Sequence, residues 1–161
     1  MGYQYQIIPL YFAGIIFFMI QRIQSIWLLL SSLIIVILSR LPIYVGSLGD
    51  GSKKELMTAE RLHMMILALL LIILPIIAIF LFKNRTGQKQ IIWLHILLNL
   101  LLLLFFYMAK SAFVEGQQPE FVSSRYGIAV IIPVLSIILD VMAFRGVRSD
   151  EKLIKAADKF R

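Results

Sequence analysis

The apolar positions of the chain fall into four long runs separated by short polar segments. Two of the runs, 62–82 (LHMMILALLLIILPIIAIFLF) and 91–109 (IIWLHILLNLLLLLFFYMA), contain no Lys, Arg, Asp or Glu. About 20 apolar residues rising ~1.5 Å each cover the ~30 Å of bilayer hydrocarbon, so each run is long enough to cross a membrane. Only a basic segment, KNRTGQKQ at 83–90, lies between them. A connection that short returns the second helix antiparallel to the first. The middle of the chain therefore predicts a transmembrane helical hairpin.

Two flanking runs, 23–39 (IQSIWLLLSSLIIVILS) and 126–144 (YGIAVIIPVLSIILDVMAF), predict a first and a fourth span. Pro75 and Pro133 fall inside spans, where membrane helices tolerate a kink. Residues 40–61 and 110–125 carry Pro42, Gly116, Pro119 and a Gly/Asp/Ser cluster, and predict loops. A short helix at 53–61 is expected to lead into the second span. Gly146 is expected to end the fourth. Ser149 suits an N-cap, with Asp150 and Glu151 in the first turn of a separate tail helix. There Leu153, Ala157 and Phe160 fall at i, i+4 and i+7 with lysines opposite. That pattern fits a short amphipathic helix lying on an anionic membrane surface, and equally a solvated helix.

The segment before the first span is less regular. Residues 7–20 are apolar but short, with Pro9 and Gly14 as interruptions, and no Lys or Arg precedes them as in a secretory signal. One helix over 7–39 would be ~50 Å long, too long for one straight crossing. Met19 is accordingly expected to be the biological start and 1–18 a mis-called extension; a short interfacial or re-entrant helix is the competing reading. The fold expected is an all-α integral membrane four-helix bundle over 19–144, followed by an amphipathic tail at 145–161.

Composition agrees with a membrane class. Hydrophobic residues make up 60% of 161, and mean hydropathy is +0.89, above the share of a soluble domain. The net charge of +7 would suggest nucleic acid in a soluble protein, but no basic stripe with interleaved aromatics is present. The expected partners are the lipid bilayer and another membrane protein or a second copy of the chain, with no nucleic acid. Arg22, the 83–90 segment and the tail hold ten basic residues, against six in the other two loops. The positive-inside rule then places both termini in the cytoplasm. The absence of cysteine excludes disulfides, thiolate metal sites, Cys nucleophiles and quinone–disulfide chemistry.

Three polar side chains lie at depth within the spans: His95, Asn99 and Asp140. His95 and Asn99 share a helix face at i, i+4. Counted from the ends of their apolar runs, His95 and Asp140 fall ~6 Å deep in the same leaflet, so a pair between them is geometrically possible. Such a pair reads either as a proton- or ion-handling site or as a structural interhelical bond; Asp140 could also reach Arg145 or Arg148 at the interface. Ser25, Ser32 and Ser39 repeat at heptad spacing and form a candidate helix-packing face, or a polar pathway. His63 falls at the opposite end from His95, more than ~20 Å away, which argues against one haem or metal held by both. No HExxH, GxSxG, Walker-type or GxGxxG pattern is present, and neither enzymatic activity nor a cofactor or metal is expected.

The segments MIQRIQSIWLLL at 19–30 and RGVRSDEKLIKAADKFR at 145–161 resemble an uncharacterised bacterial family of small four-span membrane proteins, catalogued as domain of unknown function 4293. The resemblance covers 19–161. It implies a bacterial inner-membrane protein and brings no activity or catalytic residue with it. The expected role is a non-enzymatic accessory or scaffold partner of a larger membrane assembly. The alternative is a small proton-coupled carrier using Asp140 and His95.

Overall fold

The computed structural model describes the backbone of residues 7–115 and 122–159, and side chains over 23–115 and 122–156. Four helices dominate: α1 (Ile7–Leu38), α2 (Leu62–Phe80), α3 (Arg85–Glu115) and α4 (Ile131–Lys159). α1 packs on α2 and α4, and α3 packs on α2 and α4, which closes a ring of four. Three candidate spans, on α2, α3 and α4, are long and apolar enough to cross a membrane. Only about a third of each is buried inside the protein (33%, 28% and 33%), so the remaining apolar surface requires an apolar solvent. By length and composition this is a membrane protein with an all-α bundle.

The helices are longer than the apolar runs. α1 extends unbroken from Ile7, not as a separate short helix before the first span. Pro9 falls in its first turn, where a missing N–H costs no hydrogen bond, and one glycine does not break a helix. The side chains before residue 23, and all of 1–6, lie outside the described residues. The basic segment 83–90 is mostly helix. Asn84 caps α3, its Oδ1 accepting the Gly87 N–H at 3.0 Å. Arg85, Gln88 and Lys89 are thereby brought onto the bundle.

The two segments expected as loops form a small sheet. β1 (Pro42–Ser47) and β2 (Lys53–Met57) make an antiparallel hairpin, and β3 (Ser123–Tyr126) adds to the other side of β1, in the order β2-β1-β3. The short helix expected at 53–61 is instead β2 and a single 3₁₀ turn, Thr58–Glu60. Residues 116–121, with Gly116 and Pro119, lie outside the described residues. Tyr44 ties the sheet to α3 by an edge contact with Phe113 and meets Tyr126 of β3 edge-on, and the Lys110 ammonium of α3 sits 4.8 Å from the Tyr126 ring centre. Gly127 must be glycine here, since a Cβ would lie 1.9 Å from the Pro42 carbonyl oxygen.

α4 also runs on without a break, so the tail is its last turns and not a separate helix. Gly146 marks a close approach and not an end: a Cβ there would meet Gln24 Cγ at 2.6 Å. Ser149, Asp150 and Glu151 are mid-helix. Leu153 is exposed; the side chains of Ala157 and Phe160 lie outside the described residues.

The interior is layered. Toward the sheet end lies an apolar cluster including Ile35, Leu67, Leu71, Leu102, Phe106 and Ile132. Toward the other end lies a second, of Leu28, Ala78, Ile92, Ile96, Ala143 and Val147. Between them is a polar layer.

Candidate functional site

Each helix supplies one group or pair to the layer between the two apolar clusters. Ser31 comes from α1, between Leu28 and Ile35. His95 and Asn99 come from α3, between Ile92 and Leu102. Ser136 and Asp140 come from α4, between Ile132 and Ala143. All five side chains are buried. α2 supplies a backbone carbonyl, that of Leu71.

That carbonyl is free for a covalent reason. In a helix the C=O of residue 71 accepts the N–H of residue 75, but Pro75 has none. His95 Nε2 lies 2.9 Å from the Leu71 oxygen and takes its place. One residue on, the Ile72 carbonyl accepts from Ser32 Oγ at 2.9 Å. The proline creates an orphan acceptor in the middle of a membrane helix, and neighbouring helices satisfy it, which is how such helices tolerate proline.

The acceptor also decides the histidine tautomer. A carbonyl oxygen has no proton to give, so Nε2 must carry one. The other ring nitrogen, Nδ1, lies 2.6 Å from Asp140 Oδ2, with the two side chains only 1% and 0% exposed. A single proton lies between them. Whether nitrogen or oxygen holds it, the pair as a whole is neutral, which removes most of the cost of placing two ionisable groups in hydrocarbon.

The remaining bonds form a directed chain ending on the same carboxylate. Asn99 Nδ2 donates to the His95 carbonyl at 3.1 Å and to Ser136 Oγ at 3.2 Å. The first bond fixes which way the amide faces. Ser31 donates its one hydroxyl proton to Asp140 Oδ1 at 3.0 Å. The Ser31–Ser136 contact at 2.8 Å must then have Ser136 as donor. The order Asn99, Ser136, Ser31, Asp140 aligns each dipole with the next, and such chains strengthen one another. Asn99 Oδ1, at the start of the chain, is buried without a partner among the described residues.

Leu71 is nine residues from either end of α2, or ~13 Å. α3 and α4 overrun the apolar runs, so the runs do not mark the helix limits. His63 is eight residues from Leu71 along α2, ~12 Å on the axis and not more than 20 Å, still too far to share one ion with His95. It meets Phe105 edge-on at 5.1 Å. Among the described residues no three of His, Asp and Glu gather to hold a metal.

A second polar layer closes the other end of the bundle. Gln24 Nε2 donates to Asp150 Oδ2 at 2.6 Å, and Arg85 Nη1 lies 3.3 Å from the same oxygen. Glu151 lies 2.6 Å from Lys89 Nζ and 3.0 Å from Lys155 Nζ. Gln24 belongs to MIQRIQSIWLLL and Asp150 to RGVRSDEKLIKAADKFR, so these two distant segments are one contact in the fold. The family model described as Domain of unknown function (DUF4293) matches residues 20–160.

The chain belongs to the DUF4293 family. The match takes in both polar layers of this DUF4293 chain. No curated protein and no solved structure matches it.

His95, Asn99 and Asp140, which the sequence singles out, come together in the middle layer. The serine face does not act as a unit. Ser32 bonds across to α2, Ser39 bonds back to its own helix at Val36, and Ser25 is half-buried near the Gln24 end. Sequence reasoning missed Ser31 and Ser136. Ser136 was within reach, being one turn from Asp140; Ser31 lies 100° round the helix from the face the heptad spacing selects. Pro75 also carried a signal, since it names the carbonyl four residues earlier as an acceptor in need of a donor.

Proposed function

We propose that this protein is a non-enzymatic scaffold or accessory subunit of a larger assembly in the bacterial inner membrane, with four spans and both termini cytoplasmic. One observation carries the reading. Apart from Asn99 Oδ1, the side-chain polar groups of the middle layer are spent on one another and on the Leu71 carbonyl, with every helix contributing, and they lie between two apolar layers. Such a network sets the register and order of four otherwise greasy helices, and it turns His95 and Asp140 toward each other. A bundle fixed internally, with its apolar outer surface left over, is suited to support a neighbour.

The carrier reading has its own support in the His95–Asp140 contact, since two groups sharing one proton are the usual parts of a proton relay. Two measurements separate them. Purified from native membranes in mild detergent, an accessory subunit brings a stoichiometric membrane partner, and its vesicles show no proton flux. A carrier purifies alone and conducts a flux that Asp140→Asn abolishes. Orientation is read with single cysteines, since the chain has none of its own. Asn84→Cys should be labelled from the cytoplasm and Lys53→Cys from outside; the reverse pattern overturns the topology.

A further inference from the structure

The basic residues at the end of the bundle opposite the sheet fall into two groups. Arg85, Lys89 and Lys155 are neutralised by Asp150 and Glu151. Arg145, Arg148 and Lys152 are exposed and meet no carboxylate among the described residues. These three are not scattered. At i, i+3 and i+7 of α4 they occupy one stripe within a ~60° sector, rising ~10 Å along the axis.

Aromatic side chains lie beside the stripe. Phe144 is one turn from Arg148, and its ring meets Trp93 of α3 edge-on, with centres 5.8 Å apart. Trp93 is 59% exposed, on the outside of the bundle, and faces away from the core. Tryptophan at such a place marks the level where hydrocarbon gives way to headgroups. Below it, toward the sheet, the outward residues Leu97, Leu100, Val141 and Ile138 are apolar and exposed. Above it stand the three cations.

We infer that the α3–α4 seam holds an anionic phospholipid, its phosphate on Arg145, Arg148 and Lys152 and its acyl chain against Trp93 and Phe144. Paired guanidinium groups suit a phosphate, and the charges are complementary and unspent. The site replaces the expectation of a tail helix lying flat on the membrane, because α4 continues as one helix and, among the described residues, carries its unpaired basic charge on one side. The inference rests on membrane insertion and not on the accessory role, so its failure leaves that role untouched.

The chain has two tryptophans, so Trp27→Phe leaves Trp93 as the sole reporter beside the site. This variant is reconstituted in phosphatidylcholine vesicles containing either brominated phosphatidylglycerol or brominated phosphatidylcholine, and quenching of Trp93 is compared. One basic side chain at an anionic surface contributes a factor of about five, so a preference for the anionic lipid of at least about fivefold is expected. The added changes R145Q, R148Q and K152Q should bring the ratio to about one with the helical circular dichroism unchanged. R145K with R148K should keep most of the preference, and K53Q, at the sheet end, all of it. A ratio near one with the cations intact, or a preference that survives the triple change, overturns the site. Excess inorganic phosphate at constant ionic strength should not displace the lipid; if it does, the stripe binds phosphate alone and the lipid assignment fails.

Discussion

Asp140 accepts from Ser31 on one oxygen and meets His95 Nδ1 on the other, so its replacements can be worked out bond by bond. In Asp140→Asn the amide nitrogen can take the place of Oδ2 and donate to Nδ1, while the amide oxygen still accepts from Ser31. His95 then keeps its Nε2 proton for Leu71. Every bond survives, but the short carboxyl–imidazole bond becomes an ordinary amide–imidazole one, a loss of about 1 kcal/mol. Asp140→Leu removes both acceptors. Ser31 can turn to Ser136, but His95 Nδ1 keeps only a long 3.4 Å contact with Asn99 Nδ2, at about 1–3 kcal/mol, with the lost Ser31 bond adding about 0.5–1. The Leu variant should therefore be about 1.5–4 kcal/mol less stable than wild type. Replacing His95 by Leu as well should recover at least ~1 kcal/mol relative to the sum of the single changes, because a pair removed together leaves fewer stranded groups. The assay is reversible unfolding in mixed detergent and dodecyl sulfate, followed by circular dichroism. Asn and Leu variants equal to each other, or a Leu variant within ~0.5 kcal/mol of wild type, would refute the reasoning.

Pro75 and His95 should be coupled: with Pro75→Ala a backbone N–H can return to the Leu71 carbonyl, so His95→Ala should cost about 1 kcal/mol less in that background than alone; equal costs would mean that the carbonyl does not depend on His95. Gly146→Ala should destabilise by about 1–3 kcal/mol, because its Cβ runs into buried Gln24, and in a Gln24→Ala background, itself weakened by loss of the Asp150 bond, the same change should cost almost nothing. In the β1–β2 turn, Asp50 Oδ1 accepts from the Ser52 hydroxyl at 2.7 Å and its N–H at 2.9 Å, which hold the Asp50 carboxyl below its ordinary 3.8. A lowered folded value means that this contribution is present above 3.8 and lost as pH falls through the folded value. Ser52→Ala should move the carboxyl titration back upward by carbon NMR, and an unmoved titration would discount the hydroxyl.

The helices and the pair were legible for one reason and the sheet was missed for another. Hydrocarbon tolerates few polar groups, so a run without charge reads as a span, and His95, Asn99 and Asp140 stand out within the runs. Serine is common in membrane helices, and Ser31 and Ser136 carried no comparable signal. β2, KKELM, is composed of good helix formers and is a strand only because β1 offers it an edge. β3 reaches β1 from nearly 80 residues away, a pairing that no local pattern encodes. Gly146 and Ser149 follow the local rules for a helix end and a new start. Gln24 and Asp150 override them, because the last turns of α4 gain a buried contact by continuing.

The central claim is that the middle polar layer is a sealed lock between helices, with His95 Nε2 protonated against the Leu71 carbonyl. His63→Gln leaves His95 as the sole histidine, so its ring nitrogens can be followed by ¹⁵N NMR in lipid nanodiscs. The account predicts a protonated, hydrogen-bonded Nε2 coupled to the Leu71 carbonyl, whose proton persists for hours after transfer to deuterated water. An Nε2 without a proton, or one that exchanges within minutes, would show that the layer is open to water and contradict the account.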